Sequence, residues 1–203
     1  MIARRLKAML YGWGAVGVVY HLSARLQGPG TLLPDGWIDR LIPFSPTGIW
    51  LYLSFFLIVP LAYLSCPPAR LNWLRRSMQL TALAAGGVYL LWPTTLHYPP
   101  VNGDSLSARL LLRLTAIDSP QNCLPSLHMA LTTLAVWALF ERRRPLRSGV
   151  YLCWAIAIAF SILQLRRHLF IDLLTGGILA AIIGLFCLRL TERSPRRSPG
   201  VER

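Results

Sequence analysis

The chain has 203 residues, a formal net charge of +13 and a pI of about 10.8, yet only 14% of its residues are charged while 54% are hydrophobic. A soluble domain carries about 25% charged residues, and the mean hydropathy here is +0.48. These values exclude an ordinary water-soluble globule, leave a membrane protein, and fit one domain by length.

The basic charge has two readings. It can mark a nucleic-acid surface, or the Lys/Arg excess of cytoplasmic loops in a membrane protein. Position decides, so the apolar runs come first. A membrane-crossing helix needs about 20 mostly apolar residues, and six runs qualify: 8–26, 47–66, 77–95, 124–140, 148–165 and 168–190. The first follows the basic start "MIARRLK" and has no small-residue cleavage site after it, so it reads as a retained anchor. With the N-terminus cytoplasmic, Arg4, Arg5, Lys7, Arg70, Arg75, Arg76, the run Arg142–Arg144 and the tail arginines all fall inside. Only Arg25, Arg40, Arg109, Arg113, Arg166 and Arg167 fall outside. The expectation is therefore an all-α, six-span polytopic bundle with both termini cytoplasmic. It forms one domain over 1–203 and ends in a basic tail over 191–203. The basic segments then meet water and anionic lipid headgroups, and no nucleic-acid partner is expected.

The longest outside connection, 96–123, opens with "LHYPPVNGDS", which is loop chemistry. After it, "LSARLLLRL" repeats Leu106, Arg109, Leu110 and Arg113 at helical spacing, which predicts a short helix lying in the outer interface. The four cysteines, Cys66, Cys123, Cys153 and Cys187, form no C-x-x-C pair and suggest neither a disulfide framework nor a zinc finger.

Ionisable residues at the ends of apolar spans are functional candidates by default. His128 opens the fourth span; His168 and Asp172 open the sixth. In the predicted topology all three lie at the outer face. His168 and Asp172 are four apart, hence one helical turn apart on one face. A carboxylate there can orient the imidazole and raise its basicity, though an ordinary polar pair at a helix end has the same spacing. In "NCLPSLHMA", Pro125 suits the first helical turn. Ser126 lies among the free N–H groups that make a helix N-terminus an anion site. Arg166 and Arg167 stand on the outer face against the charge bias and can clamp phosphate, or simply snorkel. His97, Tyr98 and Arg113 are outer-face residues within reach of a head group. His21 reads as a packing or hydrogen-bonding residue, and the Gly176–Gly177 pair as a close helix contact.

These residues resemble the type 2 phosphatidic acid phosphatase (PAP2) superfamily, which has a six-helix membrane core. Its P-S-G-H motif is matched by "PSLH" at 125–128. Its S-R-x5-H-x3-D motif is matched by Ser161, His168 and Asp172 in "SILQLRRHLFID". Two departures stand out. Ile162 occupies the third motif's Arg position, and the first motif, K-x6-R-P, has only Tyr98-Pro99 as a counterpart. Those losses, with Asp118 and Asn122 in "DSPQNCLPSLHMA", look like the branch of inositol phosphorylceramide synthases and related phosphotransferases. The resemblance implies phosphoryl transfer from a lipid phosphate without metal or other cofactor. It casts His168 as nucleophile, Asp172 as its orienter, and His128 as general acid and then base. Ser126 binds phosphate oxygens, Arg166 and Arg167 supply charge, and Asn122 joins His97, Tyr98 and Arg113 as head-group contacts. The arginine-rich, lysine-poor composition hints at a GC-rich bacterial genome, so with the predicted topology the expected place is a bacterial inner membrane with the site facing the periplasm. Two other readings stay open: a zinc hydrolase ligated by His128, His168 and Asp172, and a non-catalytic member of the family.

Overall fold

A computed structural model describes residues 1–193, so most of the predicted basic tail lies outside the described residues. The chain is predominantly helical. Each predicted apolar run is mostly helical: α1 (Ile2–Leu26), α3 (Ile49–Leu53) followed by α4 (Phe55–Ser65), α5 (Leu71–Leu91), α7 (Leu127–Leu139), α8 (Pro145–Gln164) and α9 (Phe170–Arg193). Between them lie α2 (Trp37–Leu41) and the amphipathic α6 (Leu106–Ile117), which runs one turn beyond the predicted piece. α6 starts where the Ser105 hydroxyl accepts the Ala108 N–H, a side-chain cap.

Among the described residues, three helical segments are long and apolar enough to cross a membrane: Pro46–Ser65, Pro145–Gln164 and Phe170–Thr191; α7 is apolar but shorter. α1 and α5 are long but diluted by glycine and polar residues. The second run is interrupted at Ser54. Its hydroxyl donates to the Leu51 carbonyl and accepts the indole N–H of Trp154, which ties the break to α8. The "CPP" stretch follows the end of α4, where Pro67 and Pro68 offer no N–H to the last carbonyls of the helix.

α1 packs along α5, α7 lies against α4 and α9, and α5 also meets α9. Small residues set these distances. A methyl group on Gly12 would strike the Tyr63 hydroxyl. One on Gly176 would overlap the carbonyl oxygen of Ser126, which realises the close contact predicted for the Gly176–Gly177 pair at its first member only.

Three connections gather at one end of the bundle. Two short strands, β1 (Thr31–Leu32) and β2 (Thr94–Thr95), pair in parallel and join the chain after α1 to the chain after α5. The Ser45 N–H reaches the Gln164 carbonyl, and the Phe170 N–H reaches the Asp39 carboxylate. The segments 27–48, 92–126 and 165–170 thus form one cap over the helix ends, and the candidate site lies beneath it. Neither the strand pair nor α2 is visible as a pattern in the sequence, since two-residue strands and a five-residue helix have no measurable period.

Candidate active site

The N-terminus of α7 carries the first half of the site. Pro125, expected in the first helical turn, stands instead ahead of the cap. Ser126 has extended backbone and is the N-cap, and its hydroxyl accepts the Met129 N–H at 3.3 Å. Serine supplies the acceptor that a cap needs and proline does not. Pro125 contributes its carbonyl, which accepts the Tyr89 hydroxyl at 2.6 Å. The Ser126 N–H donates to the Asp172 carbonyl at 2.9 Å, so the starts of α7 and α9 are joined through the backbone. With Ser126 buried and capping, only its hydroxyl proton is left to reach a phosphate.

His128 and His168 face each other, with His128 Nδ1 3.4 Å from His168 Nε2. The other nitrogen of His168, Nδ1, lies 3.1 Å from the Cys123 carbonyl and 3.5 Å from Asp172 Oδ2. A carbonyl oxygen only accepts, so Nδ1 carries the proton and a neutral His168 presents a bare Nε2. The sequence pointed to Asp172 as the orienter. In the structure it stands behind the nearer backbone carbonyl. Asp172 Oδ2 also accepts the Leu169 N–H at 2.9 Å, and Oδ1 is buried without a partner. His128 is held from its far side: Nε2 lies 2.9 Å from the hydroxyl of Tyr52, a buried residue of α3.

Of the two arginines, Arg167 is the one at the site. It is buried, pairs with Asp118 at 2.5 Å, and stands over the Tyr98 ring with its guanidinium carbon 3.8 Å from the centroid. Its Nε and Nη1 have no acceptor among the described residues. Buried unpaired donors on a cation are costly, and an anion satisfies both. Asp118 also accepts the Tyr20 hydroxyl at 2.6 Å. Burial pushes the Asp118 carboxyl up, but Arg167 and the Tyr20 hydrogen bond outweigh it and hold the group below the ordinary carboxylate range.

Arg166 turns elsewhere. Its backbone is left-handed, with φ 53°, and its guanidinium donates to the Ile42 carbonyl at 3.0 Å. It lines a second cavity of about 550 Å³ together with Arg40, His97 and Leu169. Asn122, expected as a head-group contact, is also left-handed and is committed to neighbouring chain: its amide donates to the Tyr20 carbonyl and its oxygen accepts from Gln27. An Asx side chain in that conformation stabilises a turn, and here it anchors the loop before α7 to α1. Arg113 is exposed on α6. His21 hydrogen-bonds the Gly17 carbonyl within its own helix.

A cleft of about 340 Å³ reaches His128. Trp13, Tyr20, Phe55, Phe56, Leu114 and Ile117 supply apolar walls, and Asp118 lines it together with His128. His128, His168 and Asp172 do not converge on a point that could hold an ion. The His168 ring stands between the other two, and among the described residues no three His, Cys, Asp or Glu form such a group.

Tyr52, the Cys123 carbonyl and the cap on α9 from Asp39 are absent from the sequence reading. Tyr52 sits in "IWLYLSFFL", where an aromatic residue looks like core filling. A backbone carbonyl leaves no trace in residue identity.

A bare imidazole nitrogen, a second imidazole against it and a buried cation nearby are groups that phosphate chemistry can use, and the apolar helices are consistent with a membrane protein. The family model of the PAP2 superfamily matches residues 91–196, a stretch that contains both histidine motifs, and the chain belongs to that superfamily. Membership points to phosphatase-type activity in a membrane setting. The match is to the superfamily as a whole and does not support the narrower inositol phosphorylceramide synthase-like branch. No curated protein and no solved structure matches the chain.

Proposed function

We propose that the protein is an integral membrane lipid-phosphate phosphatase or phosphotransferase that works through a phosphohistidine on His168. The observation that carries this reading is the Cys123 carbonyl 3.1 Å from His168 Nδ1, which calls for a proton there and leaves Nε2 as a nucleophile 3.4 Å from the acid–base residue His128. In the first half-reaction Nε2 attacks phosphorus. The bond from phosphorus to the lipid oxygen breaks, and that oxygen takes a proton from protonated His128 at Nδ1. In the second, His128 removes a proton from the acceptor, which attacks phosphorus and releases His168. Water as acceptor makes the enzyme a phosphatase, and a lipid or sugar hydroxyl makes it a phosphotransferase.

Arg167, through its two unpaired nitrogens, replaces the motif cations lost at Ile162 and in the first motif. The N–H groups of Leu127 and His128 in the first turn of α7 add donors for the non-bridging oxygens. The apolar cleft receives the lipid chain while its phosphate rests between the histidines. In this reading the bundle has six spans with both termini cytoplasmic. The loop-covered end faces the exterior, which in a bacterial inner membrane is the periplasm. No cofactor takes part.

The test is phosphate release from purified protein against a panel of lipid phosphates and diphosphates, with and without alcohol acceptors. Release or transfer that His128→Ala and His168→Ala each abolish, in protein that still inserts, is the expected outcome. Activity that survives both changes refutes the assignment.

A further inference from the structure

We infer that Tyr52 is the positioning residue for His128: its hydroxyl holds Nε2 of that ring, so that Nδ1 alone moves the proton. This rests on the phosphohistidine reading above. None of the histidine motifs includes Tyr52, and it reaches the site from a different helix, 76 positions earlier in the chain.

Four observations carry the inference. The Tyr52 hydroxyl lies 2.9 Å from His128 Nε2. The two rings also pack with centroids 5.1 Å apart, and Phe55 holds the imidazole at 4.9 Å, so the ring has little freedom to turn. Tyr52 is 1% exposed and therefore cannot be exchanged for bulk water as a partner. Finally, the direction of every hydrogen bond in the series follows from one fixed end. The Cys123 carbonyl takes Nδ1–H of His168, so in the resting site bare Nε2 of His168 accepts from Nδ1–H of His128, and Nε2 of His128 accepts from Tyr52.

The reaction reverses part of that series. A general acid must hold its transferable proton at Nδ1 and a second proton at Nε2, otherwise giving one up would create an imidazolate. With a phosphate dianion between the histidines, His128 is the imidazolium, and its Nε2–H donates to the tyrosine oxygen. After Nδ1 protonates the leaving oxygen, the ring is neutral, keeps Nε2–H on Tyr52, and presents a bare Nδ1 to the acceptor. Taking the acceptor's proton restores the imidazolium, so protons balance over the cycle. A hydroxyl can donate to a bare nitrogen and accept from a protonated one. Tyr52 can therefore partner both protonation states of His128.

The experiment is Tyr52→Phe, which removes one oxygen and keeps the ring packing, in purified full-length protein. Two substrates separate positioning from a general structural loss. For an alkyl phosphate, which needs the leaving-group proton, kcat should fall about 100-fold, within the range that general acid–base catalysis supplies, with KM nearly unchanged. For an aryl phosphate with an acidic leaving group, phosphorylation of His168 should fall far less. The impaired second step should then make the phosphoenzyme accumulate where wild type shows little. Equal losses in the rate of His168 phosphorylation by the two substrates, or no loss with either, overturn the inference. A readout independent of turnover is the 15N NMR signal of labelled His128. Its Nε2 shift should change in Tyr52→Phe and stay constant in a remote control such as Tyr11→Phe. No change at Nε2 overturns the inference even in an active enzyme. A change at Nε2 in a protein that cleaves no phosphate ester upholds the positioning role and refutes the catalytic reading.

Discussion

Gly176→Ala tests how tightly the two halves of the site are bound together. An alanine methyl carbon at this position would overlap the Ser126 carbonyl oxygen and sit 3.1 Å from its carbonyl carbon and 3.2 Å from its nitrogen. These are backbone atoms, so no side chain can rotate away. Unstrained carbon contacts fall at about 3.5–4.0 Å, so α9 must retreat from α7 by roughly an ångström. Overpacking of this kind costs about 1–3 kcal/mol. The same movement stretches the 2.9 Å bond from the Ser126 N–H to the Asp172 carbonyl and shifts His128 against His168. A displacement of about 1 Å in a reacting pair costs on the order of 100-fold in rate. Gly177→Ala is the control. Its nearest atoms belong to the flexible Met129 side chain at 4.0 Å, and replacing a mid-helix glycine with alanine gains about 0.5–1 kcal/mol. Thermal unfolding in detergent and kcat on one lipid phosphate, measured for both variants, give the answer. The expected result is a less stable, weakly active Gly176→Ala beside an active Gly177→Ala of equal or greater stability. A Gly176→Ala protein with wild-type melting and kcat refutes the packing argument.

Other expectations concern the buried ion pair. Arg167→Gln should lower kcat/KM by about 10- to 100-fold, the worth of charge-assisted hydrogen bonds to an anion, whereas Arg166→Gln should leave it within a few fold; a steady-state assay decides. Asp118 has its carboxyl held down in the folded protein, so its stabilisation is fully present above the ordinary carboxylate value of about 3.9 and is lost as pH falls through the lower native value. The stability difference between wild type and Asp118→Asn should therefore be constant near neutral pH and shrink on acidification below about pH 4. A difference that widens in acid contradicts the sign.

Much of this architecture is legible in the chain because membrane helices are written in long apolar runs. All six runs are mostly helical, though the third runs past α5 into β2, and the spacing of "PSLH" and "RRHLFID" marks residues that lie together in space. What the sequence hides is whatever depends on long-range approach or on backbone groups. Arg166 and Arg167 are equivalent on paper. A single left-handed residue sends one to the Ile42 carbonyl and leaves the other buried against Asp118. Asn122 looks like a polar contact for a head group, and its side chain is consumed in holding α1. Asp172 has the spacing of an orienter, but the Cys123 carbonyl stands closer to the ring. Tyr52 and Asp39 lie on segments whose composition announces only apolar packing and a loop.

The most direct test of the central claim is to find the phosphate on the enzyme. Purified protein mixed with a labelled aryl phosphate and quenched in alkali should carry an acid-labile, base-stable phosphoryl group that peptide mapping assigns to His168 at Nε2. His168→Ala should carry none, and His128→Ala should retain it longer than wild type. Turnover with no label on His168 at any time point, or label on another residue, contradicts the account.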